Sequence, residues 1–458
     1  MKFLWSKGLK MRRSTEAVHA PPAVRHQAVD DDPLPPGLVA LADYRSPGMP
    51  AEHVVRAVWR RIKRRFQSSQ PVPVRSDNRL QATTLKALDQ VAQPPACGPL
   101  MDAFDADVRA WLEEPGGNFH CVVVLPPCDP NDVIGTWAKE RGHAVLCAPA
   151  RGRGHALSVI AGTERAALEG AQGSGSDPLA GLPMLVIPQL ELWFLRQRNG
   201  LNAVRTLLAE LQRSERRCLI GCNSWAWAFL VRAAGAGLVL PAPRAFAAFD
   251  GKRLQSWFAE LAANNGSGRA TFRLASNGAD VLEIKGDGSL VNNYLDELAA
   301  RSNGIPWVAW HLWRNALRTA IDATEVQKTK GYTHGRSNHA AALERVNVST
   351  PNEAAALAIH SADASERTFW ITGVPDPDLP PSHDDNALLV LHALLMHGAL
   401  SDEELLSVLP EASAVEMLPA LLRAGFIERR QGRLAVLPAA YPAVRRVLLA
   451  DGFPMGEL

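Results

Sequence analysis

The chain has 458 residues, 47% hydrophobic and 21% charged, with 49 Lys and Arg against 47 Asp and Glu. That length suits two or three domains with a large core, and the composition is ordinary for a globular protein. The longest apolar runs fall well short of a bilayer span, and Met1 to Met11 lacks an apolar core with a cleavage site. Neither a transmembrane helix nor a secretory signal is therefore expected.

Charge is uneven along the chain. Residues 1–100 carry 16 Lys and Arg against 8 Asp and Glu, a balance of +8 that leaves −6 for the rest. A basic arm on an acidic body predicts an anionic counterpart for the arm. The chain is expected in the cytoplasm, with the arm offering a route to the membrane's inner face. The six cysteines, at 97, 121, 128, 147, 218 and 222, form no CxxC, so no metal site is expected. Cys121 and Cys147 sit in apolar runs and read as buried thiols. Cys218 and Cys222 lie too far apart along one strand to bridge each other.

Residues 1–50 are rich in Pro, Asp and Arg and are expected to be disordered, with a short docking segment near 38–44. From 51 to 67, Val55, Val58, Trp59, Ile62 and Phe66 recur at helical spacing. The opposite face holds Arg56, Arg60, Arg61, Lys63, Arg64 and Arg65. A solvated face, contact with anionic lipid or an acidic partner, and contact with nucleic acid all remain open for this helix. Residues 80–114 read as helical with a break at Pro94 and Pro95.

Residues 119–125 form an apolar strand, a Pro-rich loop spans 126–132, a helix fits 133–141, and a second strand covers 144–148. This is a βαβ unit. Arg151-Gly152-Arg153-Gly154 reads as an exposed loop that could also cradle an anion. Helices are expected at 157–170, 201–211, from 224, and at 249–261. Strands are expected at 184–187 and 217–223. Residues 270–275 and 280–284 flank Ser276-Asn277-Gly278, which predicts a hairpin. A helix covers 290–300, and Pro306 opens a tryptophan-rich one. Residues 322–352 are polar, and 369–372 suggest a strand. At the C-terminal end, an apolar helix at 386–397 precedes the capping box Ser401-Asp402-Glu403-Glu404. A third helix at 415–424 and paired strands around Gln431-Gly432 complete a winged-helix pattern.

In that order, the strand with a loop at 126–132, the strand ending at Pro188 and Gln189, and the strand ending at Asn223 resemble AAA-type and STAND-type P-loop ATPases. Asn223 resembles the sensor-1 polar residue, and Arg301 to Pro306 resembles the start of the sensor-2 helix. The resemblance covers about residues 115–440. It implies an α/β fold: a P-loop-type parallel sheet flanked by helices, then a helical lid and a C-terminal winged helix. The expected segments are an arm (1–50), basic and linker helices (51–114), a core (115–262), a lid-like region (263–380) and a winged helix (381–458).

The departures bear on function. The family's phosphate loop is GxxxxGK[ST], whose backbone donors, lysine and hydroxyl hold phosphates and magnesium. Pro126-Pro127-Cys128-Asp129-Pro130-Asn131-Asp132 has no glycine, lysine, serine or threonine, and its prolines remove donors. Pro188 and Gln189 replace the acidic pair that would hold magnesium and polarise water, with Glu191 two residues late. The residues at the degenerate nucleotide site are then Asp129, Asp132, Gln189, Glu191, Asn223, Arg301 and Arg314. Asn223 also reads as a helix cap, and the two arginines as surface or capping residues. The tryptophans read as core or as an aromatic surface.

No catalytic residue, metal ligand or cofactor is expected, and ATP binding stays open. The leading reading is a pseudo-ATPase: a regulatory or scaffolding protein that binds a protein partner, at the membrane through the basic helix, with oligomerisation open. The alternatives are a DNA-binding regulator touching phosphates through Arg429, Arg430 and Arg433, and an ATPase with an unconventional site. His392 and His397 are expected at the surface or edge of their helix.

Overall fold

The computed structural model describes residues 37–50, 80–82, 98–114, 116–129, 132–149, 184–263, 270–320, 367–374, 385–409 and 416–454. The basic residues Arg56, Arg60, Arg61, Lys63, Arg64 and Arg65, the loop 151–154 and the polar stretch 322–352 lie outside them. The described chain opens with β1 (Leu38–Ala40), a 3-10 turn (Leu41–Asp43), β2 (Leu80–Ala82) and α1 (Gly98–Glu113). Then come β3 (His120–Leu125), α2 (Val133–Glu140), β4 (Ala144–Val145), β5 (Leu185–Ile187) and a 3-10 turn (Leu190–Trp193). The first sheet's run ends with α3 (Asn202–Arg213), β6 (Cys218–Asn223), α4 (Ser224–Ala233), α5 (Ala236–Val239) and β7 (Arg244–Phe246).

The first sheet has the order β1-β7-β3-β6-β5-β4. Its five inner and right-hand strands are parallel, and β1 covers the β7 edge antiparallel. Alternation along β3 explains why both faces are covered. Cys121, Val123 and Leu125 pack in one layer with Phe104, Ile134 and Trp137 of α1 and α2. Val122 and Val124 pack in the other with Val204, Leu207, Leu208 and Leu211 of α3. Asp105 ties α1 to α2 by accepting from Trp137 Nε1 and pairing with Arg141. From β3 the chain crosses to the far edge, returns through β5 to β6 beside β3, and then passes to β7 on the other side. Such a reversal leaves a crevice outside the carboxyl ends of β3 and β6.

Next come α6 (Gly251–Ala263), β8 (Ala270–Leu274), α7 (Tyr294–Arg301), α8 (Pro306–Ala316), β9 (Leu317–Ala320) and β10 (Arg367–Ile371). A second sheet runs β2-β9-β10-β8, with β8 and β10 parallel and the other pairs antiparallel. Two expectations change here. Residues 80–82 are a strand, not a helix, because they pair with β9, more than 230 residues away in sequence. The hairpin expected across 270–284 is reduced to one antiparallel bridge, Arg273 with Asp280, because β8 takes β10 as its ladder partner. Trp225, Trp227, Trp307, Trp310 and Trp313 are all buried. Trp313 stacks on Phe258 at 4.3 Å, joining α8 to α6.

The last block is α9 (Asp385–His397), α10 (Asp402–Val408), α11 (Leu418–Arg423), β11 (Ile427–Arg430), β12 (Arg433–Val436), a 3-10 turn (Pro438–Ala440) and α12 (Tyr441–Ala450). The Ser401 hydroxyl and Glu404 carboxylate cap α10 reciprocally, as the sequence pattern predicts. The described third helix is shorter than the expected 415–424. α9 is apolar all round because it is enclosed by α4, the 190–193 turn, β12 and α12. Its histidines are therefore buried, His392 at 2% and His397 at 0% exposure, not at a surface. Cys147 is exposed, because its edge strand ends at Val145. No helix among the described residues is long and apolar enough to cross a membrane.

Candidate functional site

A cavity of about 440 Å³ occupies the crevice at the carboxyl ends of β3, β5 and β6. The loop after β3 supplies Pro126, Pro127, Cys128, Asp129 and Asp132. The segment after β5 supplies Gln189 and Glu191, the end of β6 supplies Asn223, and the C-terminal block closes over them with Glu404, Glu428, Arg430 and Arg433. Five carboxylates thus face two guanidiniums.

The loop is built around the start of α2. Cys128 and Asp132 adopt left-handed backbone, with φ of 64° and 47°. That turn lets two carboxylates reach the helix's first amides. Asp129 Oδ2 accepts from the Val133 N–H at 2.7 Å, and Asp132 Oδ1 accepts from the Gly135 N–H at 3.1 Å. Gly135 leaves room for this cap, since a Cβ there would lie 2.0 Å from Asp132 Oδ2 and displace the carboxylate. Burial pushes the Asp132 carboxyl up, against the lowering by the Gly135 N–H. From above, Trp307 Nε1 of α8 donates to the Pro127 carbonyl at 3.2 Å. Burial also raises the Cys128 thiol, which disfavours a reactive thiolate.

Glu191 and Asn223 form a second built unit. Glu191 is 6% exposed, and its Oε2 accepts from the Asn223 N–H at 3.1 Å. The Asn223 side chain caps α4 by accepting from the Ala226 N–H at 2.8 Å, and donates to the Met396 carbonyl at 3.3 Å. One residue thereby links the sheet to α9. The strands approach closely here: a Cβ on Gly221 would lie 2.1 Å from the Pro188 carbonyl oxygen. Gln189, half-buried, makes no side-chain cap to the turn that follows it.

The structure brings Asp129, Asp132, Gln189, Glu191 and Asn223 to one cavity and places the two named arginines elsewhere. Arg301 pairs with Glu297 at 2.8 Å and lines a different cavity. Arg314 lies over the Trp310 ring at 5.1 Å. The arginines of β11 and β12 are engaged with carboxylates. Arg429 holds Asp402 through two bonds of 3.0 and 2.9 Å, Arg430 pairs with Glu428, and Arg433 with Glu404. Arg430 and Arg433, named from sequence as possible DNA contacts, line the cavity. Glu404 was legible only as a cap, and its second contact, to Arg433, had no local signal. Among the described residues no group of three or more His, Cys, Asp or Glu could hold a metal ion.

No protein-family model matches the chain, and no curated protein does. Among solved structures it is similar to Cdc6p from Pyrobaculum aerophilum, with 11% identity, 79% of this chain and 98% of that chain covered, and a TM-score of 0.28. It is similar to the Aeropyrum pernix ORC1 protein, solved in complex with DNA, at 13% identity, 80% and 94% coverage, and 0.29. It is also similar to the Thermotoga maritima RuvB Holliday junction branch migration motor, at 13%, 77% and 96%, and 0.27. At such scores the fold rests on the strand order and parallel register described above.

Proposed function

We propose that this chain is a non-hydrolysing AAA-like protein, with a lid and a C-terminal winged helix, that regulates or scaffolds by binding a protein partner. The observation that carries this reading is the capping of α2 by Asp129 and Asp132. A triphosphate needs free backbone donors, a cation and a magnesium ligand at this place. Here the chain's own carboxylates take the first amides, and the prolines offer none. Both cavity arginines are paired with glutamates. These residues do not fit magnesium with a nucleotide, so no hydrolytic step is derived for them.

Calorimetry with ATP and magnesium, alongside a phosphate-release assay, tests this reading. The expected result is no saturable binding and no turnover above buffer. Turnover that falls in Glu191→Gln or Gln189→Ala would overturn it in favour of an unconventional ATPase. For the partner, the charge of residues 51–67 supports an anionic surface at the membrane's inner face. Co-sedimentation with phosphatidylserine vesicles, lost on replacing Arg60, Arg61, Arg64 and Arg65 by Ala, checks that part. DNA binding is the lesser reading, since the wing's arginines are already engaged with carboxylates.

A further inference from the structure

The outer side of α4 and α5 is apolar and positively charged at once. Leu238 of α5 is 92% exposed, far more than any other large apolar side chain among the described residues, and Val231 of α4 is 39% exposed. The two lie together: α5 packs against α4, and a Cβ on Gly237 would stand 3.6 Å from Val231 Cγ1. The sequence leaves the leucine unshielded, because Ala234, Gly235, Ala236 and Gly237 precede it with almost no side-chain bulk. Arg232 is exposed next to Val231, and Arg205 of α3 crosses to the same place, donating to the Ala233 carbonyl at 3.2 Å. Neither arginine makes an ion pair among the described residues. The stretches that supply these residues, 192–209 and 224–249, carry Arg196, Arg198, Arg205, Arg232 and Arg244 and no Asp or Glu. In a body that is acidic overall, this separation of charge suits the side to an anionic counterpart. A leucine that stands out of the surface suits a fluid one: acyl chains close around it, whereas a folded partner needs a matching socket. Long arginine side chains beside it can reach headgroup phosphates.

We propose that this side of α4 and α5 docks on an anionic lipid surface, with Leu238 entering the acyl boundary and Arg205 and Arg232 meeting lipid phosphates. It involves none of residues 51–67, so it is a separate contact from the one proposed for that basic stretch. Co-sedimentation of the full chain with phosphatidylcholine vesicles, with and without phosphatidylserine, tests it. The expected result is partition to the phosphatidylserine vesicles that weakens about tenfold in Leu238→Ser, and about tenfold or more when Arg205 and Arg232 are both replaced by Ala. Leu238, Arg205 and Arg232 are all exposed, so these variants keep the fold, which circular dichroism verifies. Unchanged partition in Leu238→Ser overturns the proposal, whatever happens when Arg60, Arg61, Arg64 and Arg65 are replaced. Weakening in Leu238→Ser with no effect of those four replacements supports it and removes the basic stretch instead. Absence of partition by the unaltered chain overturns it as well. Self-association of the chain that Leu238→Ser abolishes, without a change in partition, overturns it in favour of a second copy on this side.

Discussion

Two cavities open at the carboxyl ends of parallel strands in this molecule, and they differ in how their polar groups are used. In the first, Asp129, Asp132, Glu191 and Asn223 all bond to the protein itself. In the second, at the carboxyl ends of β8 and β10, among the described residues, the buried Tyr294 hydroxyl has no hydrogen-bond partner and the exposed Lys285 makes no ion pair. At the first cavity the four side chains bond to the backbone at the starts of α2 and α4 and at the end of β6, and so tie the elements together. Position in a fold therefore does not decide function, because the side chains at that position can satisfy one another instead of a ligand.

The sharpest way to break the contrast is in β6, two residues before the Asn223 that lines the first cavity. Gly221→Ala places a methyl against the Pro188 carbonyl, and is expected to cost about 3 kcal/mol or more in urea denaturation. A loss below about 1 kcal/mol would mean that the chain after β5 yields to the added methyl and is not held rigidly against β6.

Acid should weaken the same side of the molecule. His392 and His311 are pushed down to about 4, first by burial and then by nearby arginines: Arg196 for His392, Arg430 and Arg314 for His311. A histidine depressed in the folded state takes up its proton in the unfolded chain first, at its ordinary value near 6.5. The unfolded state then binds more protons, so stability is full above pH 6.5 and falls as pH drops towards 4. The expected loss is about 2 kcal/mol per histidine by pH 5. Denaturation midpoints at pH 7 and 5 check this, and His392→Gln should flatten part of the slope.

Removing a cap has a smaller effect. Asp132→Ala is expected to cost about 1–2 kcal/mol, with Asp132→Asn retaining most of the stability because the amide oxygen can still accept. Tyr294→Phe removes a buried hydroxyl with no hydrogen-bond partner among the described residues, so stability should rise by about 1 kcal/mol. A large loss there would place a hidden partner at the second cavity and erase the contrast. Arg429→Ala, at an exposed pair with Asp402, should leave the denaturation midpoint unchanged.

Several features were legible from residues close together in the chain. The apolar alternation of 119–125, the Pro- and Asp-rich loop, the capping box at Ser401 and the polar residue that ends β6 all form through contacts within a few residues. Their geometry follows from backbone periodicity and local hydrogen bonds, which one stretch of sequence contains in full. The same locality explains why Asp129, Asp132, Glu191 and Asn223 could be picked out, although not that Glu191 would bond to Asn223 across 32 positions.

Only the tertiary structure decided the rest. β2 became a strand because β9 offers it a ladder. His392 and His397 lost their solvent because four elements close around α9. Arg433 turned towards the crevice, where Glu404, 29 positions earlier in the chain, holds it. The partner of a charge, or the second edge of a strand, is set by chain segments far apart in sequence. Periodicity states that a face will be buried or that a side chain is charged, but packing chooses what it meets.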